Sequence, residues 1–268
     1  MPVLFGVKIH DISTETLVQT IKQWLFSQKG HAIFTPNPEF LLRARRDETF
    51  RSLLNQGDLL LADGVGLRFA TAALTDEKLV HRQTGVDTLD LLVRICLKHK
   101  KRILLLGGMD DVSVDAAATL VRRHGKVDVV SLDPGYLPGD ARALSIPEAL
   151  LEEIRAVRPN VIAVALGQGK QERCCLELLR VIPAVSIVIG VGGAFEMLSG
   201  RLPRAPKWMR QYGLEWLWRV LIEPSRLTRI LQASIVFPLV VIWDTLRFRR
   251  FWKAFFAVVH ELTSLGKL

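Results

Sequence analysis

Short apolar runs alternate with stretches of helical periodicity through the first 200 residues, and no other feature narrows the choice of fold as far. The runs Val3–Ile9, Ala32–Phe34, Leu59–Ala62, Arg102–Leu106, Val127–Ser131, Val161–Leu166 and Val185–Val191 read as strands. Amphipathic helices are predicted between several of them, at Ser13–Gln28, Asp87–His99, Val112–His124, Glu148–Val157 and Lys170–Val181. Strands this continuously apolar must be covered on both faces. The alternation therefore predicts an α/β fold, a Rossmann-like, mostly parallel sheet flanked by helices. With 49% hydrophobic and 24% charged residues, a disordered chain is excluded. Neither an internal repeat nor a low-complexity tract is present. No basic segment leads into a long apolar one at the N-terminus, so no signal peptide is read there. Three cysteines, Cys96, Cys174 and Cys175, cannot build a disulfide framework, so reduced thiols in a cytoplasmic setting are expected.

Ligands of such sheets bind beyond the carboxyl ends of the strands. The unusual residues fall there. Five polar or Gly-rich loops follow predicted strands: Thr35-Pro36-Asn37-Pro38-Glu39, Asp63-Gly64-Val65-Gly66, Gly107-Gly108, Gly167-Gln168-Gly169-Lys170-Gln171-Glu172 and Gly190-Val191-Gly192-Gly193. None continues into a dinucleotide fingerprint, and no P-loop is present, so a conventional nicotinamide or P-loop enzyme is disfavoured. No His, Cys or Glu spacing resembles a transition-metal site.

The formal net charge of +9 is unevenly spread: residues 201–268 hold 12 Lys and Arg against 4 Asp and Glu, a net +8. Five of six tryptophans, Trp208, Trp216, Trp218, Trp243 and Trp252, lie in the same segment among several phenylalanines. Basic residues mixed with Trp and Phe suit the lipid headgroup boundary better than a DNA groove. The chain is therefore read as a core of residues 1–200 and a basic helical appendage of residues 201–268 that associates with a membrane surface. Helices are expected around Tyr212–Leu221, Ser225–Ala233 and Thr245–Leu262. Ile235–Trp243, interrupted by Pro238, is too short to cross a bilayer, which takes about 20 apolar residues.

Taken one at a time, the loops admit ordinary readings. Asp63 before a helix commonly caps it, and so do Asp110 and Asp111. Thr35-Pro36-Asn37-Pro38 can fix a turn, Gly190–Gly193 can serve packing, and Lys170-Gln171-Glu172 can be exposed polar residues opening a helix. Their chemistry admits more: a carboxylate at a strand end followed by Gly can take a proton from an attacking hydroxyl.

Taken together and in order, Thr35-Pro-Asn37-Pro-Glu39, Ala62-Asp63-Gly64, Arg82-Gln-Thr84-Gly85-Val-Asp87, Leu106-Gly107-Gly108, Gly167-Gln-Gly-Lys170-Gln171-Glu172, Val191-Gly192-Gly193-Ala194-Phe195, Arg204-Ala205-Pro206, Gly213-Leu214-Glu215-Trp216-Leu217 and Glu223-Pro224-Ser225-Arg226 resemble the WecG/TagA/CpsF family, bacterial glycosyltransferases of family 26. The resemblance runs from about Val3 to Arg229. It implies inverting, metal-independent transfer of N-acetylmannosamine, its uronate or glucose from a UDP-sugar to a polyprenyl-diphosphate-linked saccharide in cell-surface polysaccharide synthesis. The reaction would take place at the cytoplasmic face of the bacterial membrane, on an anionic surface, with no cofactor and no nucleic acid partner. A homo-oligomer is left open.

By the same resemblance Asp63 is the base. Thr35, Asn37, Gly64, Arg82, Gly107, Gly108, Gln171, Gly192 and Gly193 belong to the donor pocket, and Arg219, Arg226 and Arg229 meet a diphosphate. The chain departs from the family at Gln168-Gly169, where members commonly carry Ser-Pro or Ala-Pro, and in an apolar tail longer than many relatives have. The competing reading is a non-enzymatic binder of anionic lipid or nucleic acid acting through its basic tail.

Overall fold

The computed structural model describes residues 1–203, 205–206, 208–209, 215–222 and 227–264. The chain begins with β1 (Val3–Leu4) and β2 (Val7–Lys8), then α1 (Thr14–Leu25), β3 (His31–Phe34), α2 (Pro38–Arg46), α3 (Glu48–Leu54), β4 (Leu59–Leu60), α4 (Val65–Leu74) and α5 (Gly85–His99). It continues with β5 (Ile103–Gly107), α6 (Val112–His124), β6 (Val129–Leu132), α7 (Glu148–Val157), β7 (Val161–Ala165), α8 (Lys170–Val181), β8 (Ile187–Gly190) and α9 (Ala194–Leu198). The described C-terminal helices are α10 (Glu215–Ile222), α11 (Leu227–Arg247) and α12 (Phe251–Ser264).

Six strands form one parallel sheet in the order β4-β3-β8-β7-β5-β6. Side chains of a strand point alternately to the two faces, and the two cores follow that period of two. Ala32, Phe34, Leu104, Leu106, Ile162, Val164 and Val188 enter one core with α2, α3, α4, α7 and α8. Ile33, Ile103, Leu105, Val161, Ala163, Ile187 and Ile189 enter the other with α1, α5, α6 and α9. Each fully buried Leu, Ile or Val contributes about 1.5–3 kcal/mol relative to exposure, so the sheet is the main source of stability. The three cysteines are buried and free. Burial pushes the Cys96 and Cys174 thiols up to about 12, which leaves them inert as nucleophiles.

Several predicted elements differ in the structure. Val3–Ile9 is not one strand but the antiparallel pair β1–β2, because Phe5 (φ 50) and Gly6 (φ 79) turn the chain. The run Val127–Ser131 starts its pairing only at Val129 and carries it to Leu132. Helices α2, α3 and α9 occupy segments for which no helix is predicted, and the helix that Asp63 is read as preceding is α4. Asp110 and Asp111 do not cap α6 through their side chains: both lie in the left-handed region, at φ 54 and 59, and no side-chain capping bond is made at Asp111.

The largest difference is in the tail. Ser225–Ala233 and Ile235–Trp243, read as separate, merge into the single 21-residue α11, long and apolar enough by length and composition to cross a membrane. Pro238 does not interrupt it because the preceding turns, Gln232–Val236, are π-helical: the Phe237 N–H bonds to the Gln232 carbonyl. The wider turn relieves the clash a proline ring makes with the carbonyl one α-turn back. The expected helix Thr245–Leu262 is in turn broken near Arg249 (φ 55), where α11 ends and α12 follows.

Both tail helices join the first core. Phe237, Val241 and Ala254 are buried in it, Phe237 meeting the Phe5 ring edge-on at 6.1 Å. Arg45 of α2 forks onto both carboxylate oxygens of Asp244 at 2.7 and 2.8 Å, and Arg68 of α4 pairs with Glu261. Asp76 accepts from Arg250 and Lys253.

Candidate active site

The carboxyl ends of all six parallel strands open into one cleft of about 920 Å³. Its wall carries Thr35 and Asn37 after β3, Asp63 and Gly64 after β4, Gly107 and Gly108 at the end of β5, Asp133 and Gly135 after β6, Gly167, Gln168 and Gln171 after β7, and Gly192 and Gly193 after β8. Arg82, Thr84 and Gly85 come from the segment that leads into α5, and Arg229, Ile230, Ala233, Ser234 and Pro238 from α11.

Hydrogen bonds tie these loops to one another. Asp63 N–H donates to the Pro36 carbonyl at 2.9 Å and Gln83 N–H to the Ala62 carbonyl at 3.2 Å, so the peptide unit that leads into the half-buried Asp63 is held at both its N–H and its C=O. Thr35 Oγ1 donates to the Gly190 carbonyl at 3.2 Å, tying the end of β3 to that of β8. Gly85 fits where these meet: a Cβ there would stand 3.2 Å from the Val191 carbonyl oxygen and 3.4 Å from Thr35 Oγ1. Gly107, at φ +99, passes so close to β7 that a Cβ would come within 2.5 Å of the Ala165 oxygen.

Several helices begin at the cleft, and their N-terminal N–H groups favour negative charge nearby. Asn37 Oδ1 caps α2 by accepting from Phe40 N–H at 3.1 Å, with Pro38 in the first turn. Thr84 caps α5 through Asp87 N–H. The N-cap position of α4 is Gly64 at φ +100, which brings no side chain of its own to the first N–H groups of the helix.

Gln171 and Glu172 also depart from the expectation of exposed polar residues. Gln171 is 2% exposed and Glu172 fully buried. Gln171 Oε1 accepts the Gly192 N–H at 3.0 Å, which ties the glycine turn to the first turn of α8. Its Nε2 donates to Glu172 Oε1 at 2.6 Å, and Glu172 Oε2 accepts the Gly169 N–H at 2.6 Å. Desolvation pushes the Glu172 carboxyl up to about 7, against the opposing pull of those hydrogen bonds and of Arg43.

On the opposite wall, half-exposed Arg229 donates from Nε to Glu39 Oε2 at 2.9 Å, linking α11 to the first turn of α2. Of the other two tail arginines, Arg219 lies on α10 with a side chain outside the described residues, and Arg226 lies outside them altogether, as do Arg204, Gly213, Leu214 and Glu223-Pro224-Ser225. Every other expected site residue lines the one cleft.

Sequence reasoning missed the sixth strand loop, although Asp133-Pro134-Gly135 carries a plain turn signal. It also missed the apolar wall of Phe69, Ile230, Ala233 and Pro238, for which no local pattern exists, since residues far apart in the chain build it. Among the described residues no group of three His, Cys, Asp or Glu is placed to hold a metal ion. The arrangement combines one half-buried carboxylate, hydroxyl and amide side chains, glycine turns, helix N-termini and guanidiniums around a cleft large enough for a nucleotide sugar.

The chain is similar to known proteins over most of its length. An N-acetylglucosaminyldiphosphoundecaprenol N-acetyl-beta-D-mannosaminyltransferase of Bacillus subtilis (strain 168) is 30% identical over 210 residues, 78% of each chain. A protein of the same name from Staphylococcus aureus (strain NCTC 8325 / PS 47) is 27% identical over 234 residues, 87% of this chain and 89% of its own. The model of the glycosyl transferase WecG/TagA/CpsF family matches residues 2–251, nearly the whole chain. The chain is a glycosyltransferase and belongs to the WecG/TagA/CpsF family.

Proposed function

We propose that this enzyme transfers N-acetylmannosamine from its UDP conjugate to a polyprenyl-diphosphate-linked N-acetylglucosamine, by inverting, metal-independent displacement at the cytoplasmic face of the membrane. The names of the relatives support both sugars and the lipid diphosphate. The observation that carries the mechanism is Asp63, the half-buried carboxylate on the wall of the cleft, whose preceding peptide unit is held by two main-chain bonds. An acceptor hydroxyl attacks the anomeric carbon, a new C–O bond forms, and the bond to the β-phosphate oxygen of UDP breaks. Asp63 takes the hydroxyl proton, and UDP leaves with the bonding electron pair.

The departing diphosphate needs positive charge. Arg82 and Arg229 lie on the same cleft, and the N-termini of α2, α4 and α5 add fixed N–H dipoles. One carboxylate is enough for a single displacement by an alcohol. Thr35 and Asn37 would read the donor, and Arg219 and Arg226 would complete the diphosphate site.

Membrane association rests on the outer surface of α11 and α12. Trp243, Trp252 and Phe256 are 64%, 69% and 67% exposed, beside Leu239, Ile242, Leu246, Phe248 and Phe255, with Arg247, Arg249 and Lys253 among them. That mixture suits a helix lying in the headgroup region. A spanning α11 would have to withdraw Phe237, Val241 and Asp244 from the core, so a surface position is favoured.

Incubation with a panel of UDP-sugars and a short-chain lipid-diphosphate-N-acetylglucosamine, followed by mass analysis, tests the reading. A product heavier by one N-acetylhexosamine, formed from UDP-N-acetylmannosamine, is expected. Absence of product with every UDP-sugar sinks it.

A further inference from the structure

Glu172 is a completely buried carboxyl that the mechanism above does not use. Leaving such a group in an apolar interior is costly unless each oxygen is satisfied, and here each accepts one N–H. The bonds converge on Glu172: Gly192 N–H to Gln171 Oε1 and Gln171 Nε2 to Glu172 Oε1 from one side, and Gly169 N–H to Glu172 Oε2 from the other. The chain thus joins the loop after β7 to the loop after β8, two adjacent strands whose turns both face the cleft.

Once ionised, Glu172 fixes this arrangement: both oxygens are then acceptors, so the Gln171 side chain meets it with the NH2 end and the carbonyl end faces Gly192. An amide at position 172 has one acceptor oxygen for two donors. Either Gly169 N–H or Gln171 Nε2 loses its partner, and in the second case Gln171 is free to turn its NH2 toward the Gly192 N–H, which repels it. Gly192 stands at φ +53, so a lost bond there frees a turn that lines the cleft.

We infer that Glu172 is a positioning residue: it sets the end of the Gln171 amide that faces Gly192 and so holds the glycine turn after β8 in the shape that receives the UDP moiety of the donor. This rests on the proposal that the cleft takes a UDP-sugar. The two fail separately. If UDP does not bind the wild-type full-length chain in a calorimeter, the donor reading and this inference fall together.

With wild-type binding measured, Glu172→Gln is expected to weaken UDP binding about tenfold, the effect of one lost hydrogen bond to a charged group. KM for the UDP-sugar should rise with it, while kcat at saturating donor changes by less than about threefold. The same Kd for UDP in the variant and in wild type overturns the inference. The Gln171→Leu background supplies the readout that a merely structural role would not move. If Glu172 acts through Gln171, adding Glu172→Gln there leaves the UDP Kd where Gln171→Leu alone put it, whereas additive losses mean that it does not. Glu172→Asp keeps the charge but withdraws it by one methylene. Should Glu172→Gln fail to fold, this variant stands in, with the same rise expected and an unchanged Kd again decisive.

Discussion

Along the six-stranded sheet, aliphatic side chains fill both faces, and polar groups gather only where the strands end at the cleft. Along α11 and α12 the buried side is mixed: Phe237, Val241 and Ala254 enter the core beside Asp244 and Glu261, which pair with Arg45 and Arg68. The large apolar side chains Trp243, Trp252 and Phe256 point outward among Arg247, Arg249 and Lys253. A helix that faces only water on its outer side carries polar residues there. The contrast teaches that the sheet spends its apolar side chains on the interior, while the tail has more of them than its packing against the core uses.

If the core holds the chemistry, its removal must show as the largest effect. Asp63→Asn is expected to lower transfer by about 10²–10⁴-fold while UDP still binds. Measured in a steady-state transfer assay, turnover near wild type would take Asp63 out of the role of base and break the assignment of chemistry to the sheet edge.

The ion pairs under the tail are the next point at which to press. Asp244→Ala leaves Arg45 without its forked partner under the helix, and because that guanidinium is partly exposed the cost is expected at about 1–3 kcal/mol, below that of a fully buried pair. Urea unfolding of the full chain measures it. A loss under about 1 kcal/mol would mean that the tail is held by Phe237 and its neighbours alone.

The core has a buried carboxyl of its own, and among the described residues no guanidinium forks onto it as Arg45 forks onto Asp244. Glu172 is pushed up from an ordinary 4.5 to about 7 by desolvation. Between those values the folded state holds a proton that the unfolded chain has released, so stability falls as pH rises through that window. Below it the two states are alike, and above it the full cost of about 3 kcal/mol applies. Unfolding free energies measured from pH 4.5 to 8 should therefore drop for wild type, with this part of the drop missing in Glu172→Gln. Parallel curves for the two proteins would show that the carboxyl ionises as freely as in water.

Much of the core was legible because a buried parallel sheet writes itself as aliphatic runs with Gly and polar residues at their ends, and those ends are the site. What escaped was whatever depends on distant packing. Asn37-Pro38 reads locally as a turn, yet it is the cap and first turn of α2, and only the docking of Phe40 and Leu41 in the core makes it so. Gln171 and Glu172 look like surface residues because nothing local reveals that Gly192 and Gly169 will supply their partners. Pro238 reads as a helix end, and the π-helical turns that carry α11 past it have no sequence signature. The apolar cleft wall from α11 depends on the tail folding back onto α4, about 160 residues away in the chain.

The smallest effect expected on the protein itself is the one that sharpens the contrast most. Trp243, Trp252 and Phe256 make little of the folded core, so replacing all three by Ser should shift the unfolding free energy by no more than about 0.5 kcal/mol each. The same triple variant should lose most of its partition onto anionic vesicles in a sedimentation assay, because each aromatic ring removed takes with it apolar area that would lie among acyl chains, while Arg247, Arg249 and Lys253 retain only their attraction to the surface charge. Added salt should weaken what remains, since surface attraction is screened and apolar burial is not. If instead the variant unfolds readily and binds vesicles as wild type does, the outward side chains belong to the fold, and the tail is no different in kind from the helices that cover the sheet.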